Sequence, residues 1–173
     1  EIGSGLVGSE MCIRDRDKVI YVDFDGVYRN SEVWINGHSL GFRPNGYVSF
    51  RYDLTPYLRY GSQPNVIAVK ADNSEQPNSR WYSGSGIYRN VWLVKVNPVH
   101  VDNWGTFVHD MKISSEEATF ALEVRIRNSS EADREAEVST SIYDDRNKVV
   151  TASVTTLLRV PYTPCYDTRM REA

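Results

Sequence analysis

Between Thr119 and Arg127 every second residue is apolar. Phe120, Leu122, Val124 and Ile126 form one row, and Thr119, Glu123, Arg125 and Arg127 stand outside it. A period of two places such rows on opposite faces of a strand, whereas a helix would scatter them. Weaker versions recur along the chain. Ile20, Val22 and Phe24 oppose Tyr21, Asp23 and Asp25; Val48, Phe50 and Tyr52 share a face; so do Ile67, Val69 and Ala71. Residues 90–96 read as a further strand, and 135–143 and 149–158 as a pair joined by a turn at Asp144–Asn147. Turn chemistry separates them. Asn36-Gly37 tolerates positive φ at both positions, so 32–35 should run into a tight hairpin. Thr55 before Pro56 predicts a capped helical turn. No helix of ten residues is expected, and the chain reads as all-β.

The texture changes near Pro98. Upstream the sequence is rich in aromatics, Gly and Asn; downstream these thin out and charge rises. A domain boundary is expected there, with 17–97 and 98–158 as two sandwiches, the second immunoglobulin-like from the length and spacing of its strands. Residues 1–16 fit no strand, lack the apolar core of a signal peptide, and include GLVGSEMCIRDR, which resembles translated adapter sequence. They are expected to be a non-native or disordered tail, and 159–173 an irregular one. Flexible native termini are the alternative at both ends.

Composition excludes several classes of function. A net charge of −3 offers no basic footprint for nucleic acid, and no apolar run is long enough for a membrane helix. Cys12 and Cys165 have no metal-ligand spacing, and His38, His100 and His109 are scattered; no cofactor or metal is expected. No nucleophile elbow, zinc motif or phosphate loop occurs. Gly84 and Gly86 lack the lysine and helix that phosphate cradling requires. Glu116-Glu117 and Asp144-Asp145 are adjacent pairs whose side chains diverge. Asn128-Ser-Ser matches a glycosylation acceptor but suits the turn after a strand. No catalytic residue is expected in this chain.

One stretch retains chemical interest. The loop from Asp72 to Arg89 carries Asn73, Arg80, Trp81 and Tyr82. Planar hydrogen-bonding groups beside aromatic faces suit a sugar, whose hydroxyls need directional partners and whose C–H face packs on a ring. Glycines at 84 and 86 would let the backbone bring them together. Alternatively Trp81 and Tyr82 pack beneath the loop with Arg80 on their faces.

The segments VDFDGVYRNSEVWINGHSLGFRPNGYVSFRYDLTPYL and NVIAVKADNSEQPNSRWYSGSGIYRNVWL resemble the amino-terminal sugar-binding domain of glycoside hydrolase family 2, in its β-galactosidase-like branch. Residues 98–158, with HVDNWGTFV, resemble the immunoglobulin-like domain that follows. The resemblance implies a partial jelly-roll (galactose-binding-like) sandwich followed by an immunoglobulin-like β-sandwich. It implies a retaining β-glycosidase, with a β-galactoside or related glycoside as substrate, whose two catalytic glutamates lie on a TIM barrel outside this chain. The acid/base glutamate of the family follows an asparagine, and this chain has no Asn-Glu step. The fragment is therefore expected to bind substrate but to be inactive alone, with the barrel of the same polypeptide as its partner. The resemblance also implies a capacity for homo-oligomers and a periplasmic or secreted location. It gives Asn73, Arg80 and Trp81, and less directly Tyr82, a substrate-side role. Several relatives carry an aspartate six residues before the glycine of the S-G-I element; here that position is Arg80, so the aspartate's role does not transfer. The rival function is a stand-alone, non-catalytic carbohydrate-binding module. If the jelly roll's opening strands are missing, the first half should expose sheet edges and half a core.

Overall fold

The structure, a computed structural model, describes residues 2–6, 16–74, 84–150 and 153–163. They divide into two compact units, one ending at Asn97 and the other beginning at Pro98.

The first unit contains nine strands: β1 (Ile2–Leu6), β2 (Val19–Phe24), β3 (Val27–Tyr28), β4 (Ser31–Ile35), β5 (His38–Arg43), β6 (Phe50–Asp53), β7 (Val66–Ala71), β8 (Gly86–Ile87) and β9 (Val91–Val96). One sheet runs β1-β7-β4-β5 and a second runs β6-β2-β9, all antiparallel, while β3 pairs with β8 as a separate ribbon. The alternating rows close onto each other. Ile20, Val22 and Phe24 from one sheet meet Val33, Ile35, Ile67 and Val69 from the other, with Val27, Tyr52 and Leu54 filling the edges of the cluster. Phe24 stacks on Phe50 at 5.1 Å, and Phe50 meets Tyr52 edge-on at 5.5 Å. Burying each such side chain contributes about 1.5–3 kcal/mol. On the outward side of β2, Asp23 accepts both Arg51 nitrogens at 2.6 Å, and Arg51 lies 4.8 Å from the Tyr21 ring centre.

The Asn36-Gly37 hairpin forms as its chemistry predicts, with φ of 51° and 88°. Asn36 does more than turn. Its side chain donates to Tyr57 O and Asn65 Oδ1, each at 2.8 Å, and accepts from the Val66 N–H at 3.0 Å. Buried Asn65 in turn takes the Arg59 N–H at 2.8 Å and gives to Arg59 O at 2.9 Å.

Three local expectations are corrected. Thr55 does not cap the turn: the 3-10 segment is Thr55–Tyr57, its cap position is Leu54, and no side chain caps it. Thr55 Oγ1 instead accepts the Ile20 N–H at 2.9 Å, because a β2 donor stands within reach. Val48 is exposed outside β6 rather than sharing its inner face. Within 1–16, Ile2–Leu6 is a strand, in register from Ile2↔Lys70 to Leu6↔Val66. A backbone ladder needs no apolar pattern, so the edge of β7 accepts a segment that alternation does not reveal. The first half buries a core and also shows an exposed sheet edge. Exposed apolar groups on its strands are Val91, Trp92 and Leu93 of β9, with Phe42 of β5, Val66 of β7 and Ile87 of β8.

The second unit contains β10 (Val99–Ile113), β11 (Ala118–Asn128), β12 (Arg134–Thr140) and β13 (Val154–Val160). They form two antiparallel ribbons, β10-β11 and β12-β13. The turn at 144–147 is present: the Asn147 N–H donates to Asp144 O at 3.1 Å, and Asp144 Oδ1 accepts from Arg146 and Lys148. Asn128 is buried as a structural hub, giving to Ala132 O at 2.9 Å and Val160 O at 3.0 Å while accepting from Ser130, so this acceptor motif serves the turn. The inner rows face a hollow of about 720 Å³ lined by Phe120, Leu122, Val124, Val138, Val154 and Leu158 among others. The alternation of β11 therefore holds in direction, but Phe120 and Leu122 remain exposed.

Candidate functional site

The 72–89 loop is built from its two feet. At the first, β7 ends and the Asp72 N–H donates to Arg29 O at 2.9 Å, while Asn30 Nδ2 donates to Asp72 O at 3.2 Å. At the second, Gly86 pairs with Tyr28 across the β3–β8 ribbon. Neighbouring residues 28 and 29 thus hold both ends, so the chain leaves and re-enters the scaffold at one point. Asn30, at φ 44°, bends the chain between this clamp and β4. Gly86 has φ 108°, in the region favouring glycine, so it makes the sharp return the sequence predicts.

Asp72 begins the loop with a local turn. Its Oδ1 accepts the Ser74 hydroxyl at 2.6 Å and the Ser74 N–H at 3.0 Å. Those hydrogen bonds hold the Asp72 carboxyl below its ordinary range. Asn73 follows, half-buried, at the first foot. Arg80, Trp81 and Tyr82 lie outside the described residues. Of the four predicted residues, Asn73 alone is among those described.

Beside the feet stands an aromatic shelf that sequence reasoning missed. Tyr28 and Tyr47 meet edge-on at 5.4 Å. Tyr88 donates its hydroxyl to Gly46 O at 2.8 Å, and Arg89 lies 5.2 Å from the Tyr88 ring centre. Glycines admit these rings. A Cβ on Gly46 would come within 2.3 Å of the Tyr28 ring, and one on Gly26 within 2.8 Å of Tyr88. The Tyr28 hydroxyl's hydrogen bond raises the Tyr47 phenol above its ordinary pKa. Tyr47 and Tyr88 are exposed. A signal was available: Gly26-Val-Tyr28, Gly46-Tyr47 and Gly86-Ile-Tyr88 repeat a glycine one or two residues before a tyrosine. Trp92 extends the surface, its Nε1 donating to Asp25 Oδ2 at 3.0 Å.

No group of three or more His, Cys, Asp or Glu that could hold a metal stands together among the described residues. The adjacent acidic pairs have structural work. Glu117 pairs with Lys112 and closes a turn with Ser114, and Asp144 closes the β12–β13 connection. Together the feet and the shelf offer amide and carboxylate oxygens, a guanidinium and phenol faces in one region. That set can bind a polar ring but supplies no acid–nucleophile pair.

The profile described as "Glycosyl hydrolases family 2, sugar binding domain" matches residues 10–97. A β-galactosidase of Bacteroides ovatus is 52% identical over 136 residues, which cover 79% of this chain and 16% of that protein. A β-glucuronidase of Formosa agariphila is 33% identical over 159 residues, 80% of this chain and 16% of its own length. A solved glycosyl hydrolase family 2 member from Bacteroides cellulosilyticus superposes with a TM-score of 0.81 at 31% identity, covering 92% of this chain and 21% of that one. The chain thus spans about a fifth or less of each of these three proteins.

Proposed function

The chain belongs to glycoside hydrolase family 2, and on that premise we propose that it is the substrate-holding portion of a retaining β-glycosidase. The bond cleaved is an O-glycosidic bond, with a β-galactoside as leading substrate. The acid/base and nucleophile carboxylates of such an enzyme stand about 5–5.5 Å apart. They belong to a barrel outside these residues, since a barrel needs about 200 or more of its own. The work of this chain is orientation. The loop 73–85 brings Asn73, Arg80, Trp81 and Tyr82 to the sugar, amide and guanidinium taking hydroxyls and indole taking the ring face.

The observation that carries this reading is the double clamp at Tyr28 and Arg29, which fixes the loop where it departs and where it returns. Fixed feet reduce the freedom a binding loop must lose on holding its ligand. The relatives bear both galactosidase and glucuronidase names, and Arg80 suits either a hydroxyl or a carboxylate.

The test is a chimera. Residues 10–97 replace the corresponding segment of the Bacteroides ovatus β-galactosidase, and hydrolysis of an aryl β-galactoside is measured. Arg80→Ala and Trp81→Ala should each lower kcat/KM about 10- to 100-fold, the loss of one substrate contact to a charged or aromatic group, with melting unchanged. An unaltered kcat/KM in both variants refutes the role. The isolated chain should not hydrolyse the same substrate.

A further inference from the structure

The motif Asp102-Asn-Trp-Gly-Thr-Phe107 lies outside the matched sugar-binding domain and outside the lining of the large hollow. In β10 the pairing runs to Val101↔Ile126 and resumes at Thr106↔Val124. Residues 102–105 therefore stand opposite Arg125 alone. Such a bulge bends a strand and re-aims its side chains. This one is locked. Asp102 accepts Arg127 Nε and Nη2, both at 3.0 Å, and the Asn103 N–H at 2.8 Å. A Cβ on Gly105 would come within 2.7 Å of Asp102 O and 2.8 Å of Arg125 O, so nothing larger than glycine closes it. Trp104 is held at φ 54°, an unfavourable conformation for a bulky residue. The effect of that strain is display: Trp104 is 85% exposed, in a residue type that folding normally buries for the most part.

Beside the indole is a hollow of about 160 Å³ lined by Trp104, Gly105, Phe107, Glu123, Val124 and Arg125. Glu123 and Arg125 alternate on the outward face of β11, and Phe107 stands directly across from Glu123. Among the described residues neither Glu123 nor Arg125 has a side-chain hydrogen bond or ion pair, so both remain available: one an acceptor, the other a planar donor fork. His109 stacks on Phe107 at 5.2 Å and continues the aromatic row.

We propose that this outward face of β10 and β11 is a second carbohydrate-binding site, one that takes a single pyranose ring of a longer glycan. The ring's C–H face lies on Trp104, and its hydroxyls divide between Glu123 and Arg125. Protein-docking patches spread apolar area over hundreds of Å². Here the exposed Trp104 and Phe107 share with Glu123 and Arg125 the lining of a cavity well below the ~300 Å³ of pockets for larger ligands. Hydroxyls need both an acceptor and a donor next to a flat apolar surface, and this face presents all three. The inference does not rest on the 72–89 loop.

The test is titration of the chain with a β-1,4-galactan tetrasaccharide and with cellotetraose, following the tryptophan indole N–H resonances by NMR. The Trp104 signal, assigned from Trp104→Phe, should move with at least one of them. Trp104→Ala should weaken that binding at least tenfold, Trp104→Phe should retain part of it, and Glu123→Gln or Arg125→Met should each weaken it several-fold. Trp81→Phe should leave it unchanged. If neither glycan moves the Trp104 signal at millimolar concentration, or Trp104→Ala leaves affinity intact, the site is refuted. Trp104 signals that respond to protein concentration instead, with monomers restored by Trp104→Ala, also refute it and mark a contact between copies. Loss of glycan response with Trp81→Phe alone refutes it while leaving the loop's role standing. Glu123→Gln and Trp104→Phe keep the test decisive if Trp104→Ala does not fold.

Discussion

The two units carry the same strand pattern and handle it differently. In the first, the apolar rows of two sheets close over ten buried residues, with Phe24 only 1% exposed. In the second, rows at least as regular line an open hollow of about 720 Å³, and Val160 is the single buried large hydrophobic residue among those described. Alternation determines which way side chains point. Whether they are covered depends on how many strands face them, and the described residues of the second unit supply two two-stranded ribbons where an immunoglobulin sandwich uses about seven strands.

The sharpest way to break this contrast is truncation. Phe24→Ala should cost about 3–5 kcal/mol, because it removes a stacked ring from a filled core. Leu157→Ala, at a side chain 69% exposed, should cost under about 0.5 kcal/mol. Urea melts of the two variants measure the difference; equal costs would mean that the second unit is closed in solution. Next comes the polar network. Asn65→Ala strips partners from the Arg59 N–H, Arg59 O and Asn36 at once and should cost about 2–3 kcal/mol, by the same measurement.

The third prediction concerns acid. Burial alone would raise the Asp102 pKa, but hydrogen bonds from Arg127 and Asn103 and the charge of Arg127 outweigh it and hold the carboxyl below its ordinary value. A depressed folded-state pKa gives stability that is present above the unfolded value, about 3.9, and is lost as pH falls through the folded value. Asp102→Asn should therefore lower the melting of the second unit near neutral pH. The gap from the unaltered chain should shrink below about pH 4, as followed by circular dichroism. A gap independent of pH would remove the carboxylate from the account. The smallest effect is a gain: Thr156→Val, on the hollow's lining, should stabilise the second unit by about 0.5 kcal/mol or less and leave the first unchanged.

Legibility followed the range of the physics. Asn36-Gly37 was readable because positive φ at two adjacent residues is a property of those residues alone. So were the faces of β2, β7 and β11. Thr55 misled because its hydroxyl had a second claimant, the Ile20 N–H, thirty-five residues away. The strand Ile2–Leu6 carries no alternation and is held by backbone groups of β7. The bulge at 102–105 exists only relative to its partner strand, so no window of sequence displays it. At the candidate site, the sharp return at Gly86 could be anticipated from local chemistry. The tyrosine shelf joins residues 28, 47 and 88 and becomes visible only when the sheets assemble.

The clamp on both ends of the 72–89 loop has a wider consequence. Since residues 28 and 29 tie the loop's beginning and end, the scaffold is indifferent to how much chain lies between. Doubling the length of such a loop costs only about 0.6 kcal/mol in closure entropy. Insertions, deletions and exchanged residues there can accumulate while the sandwich beneath stays unaltered. A lineage built on this arrangement can vary the loop without risking its fold.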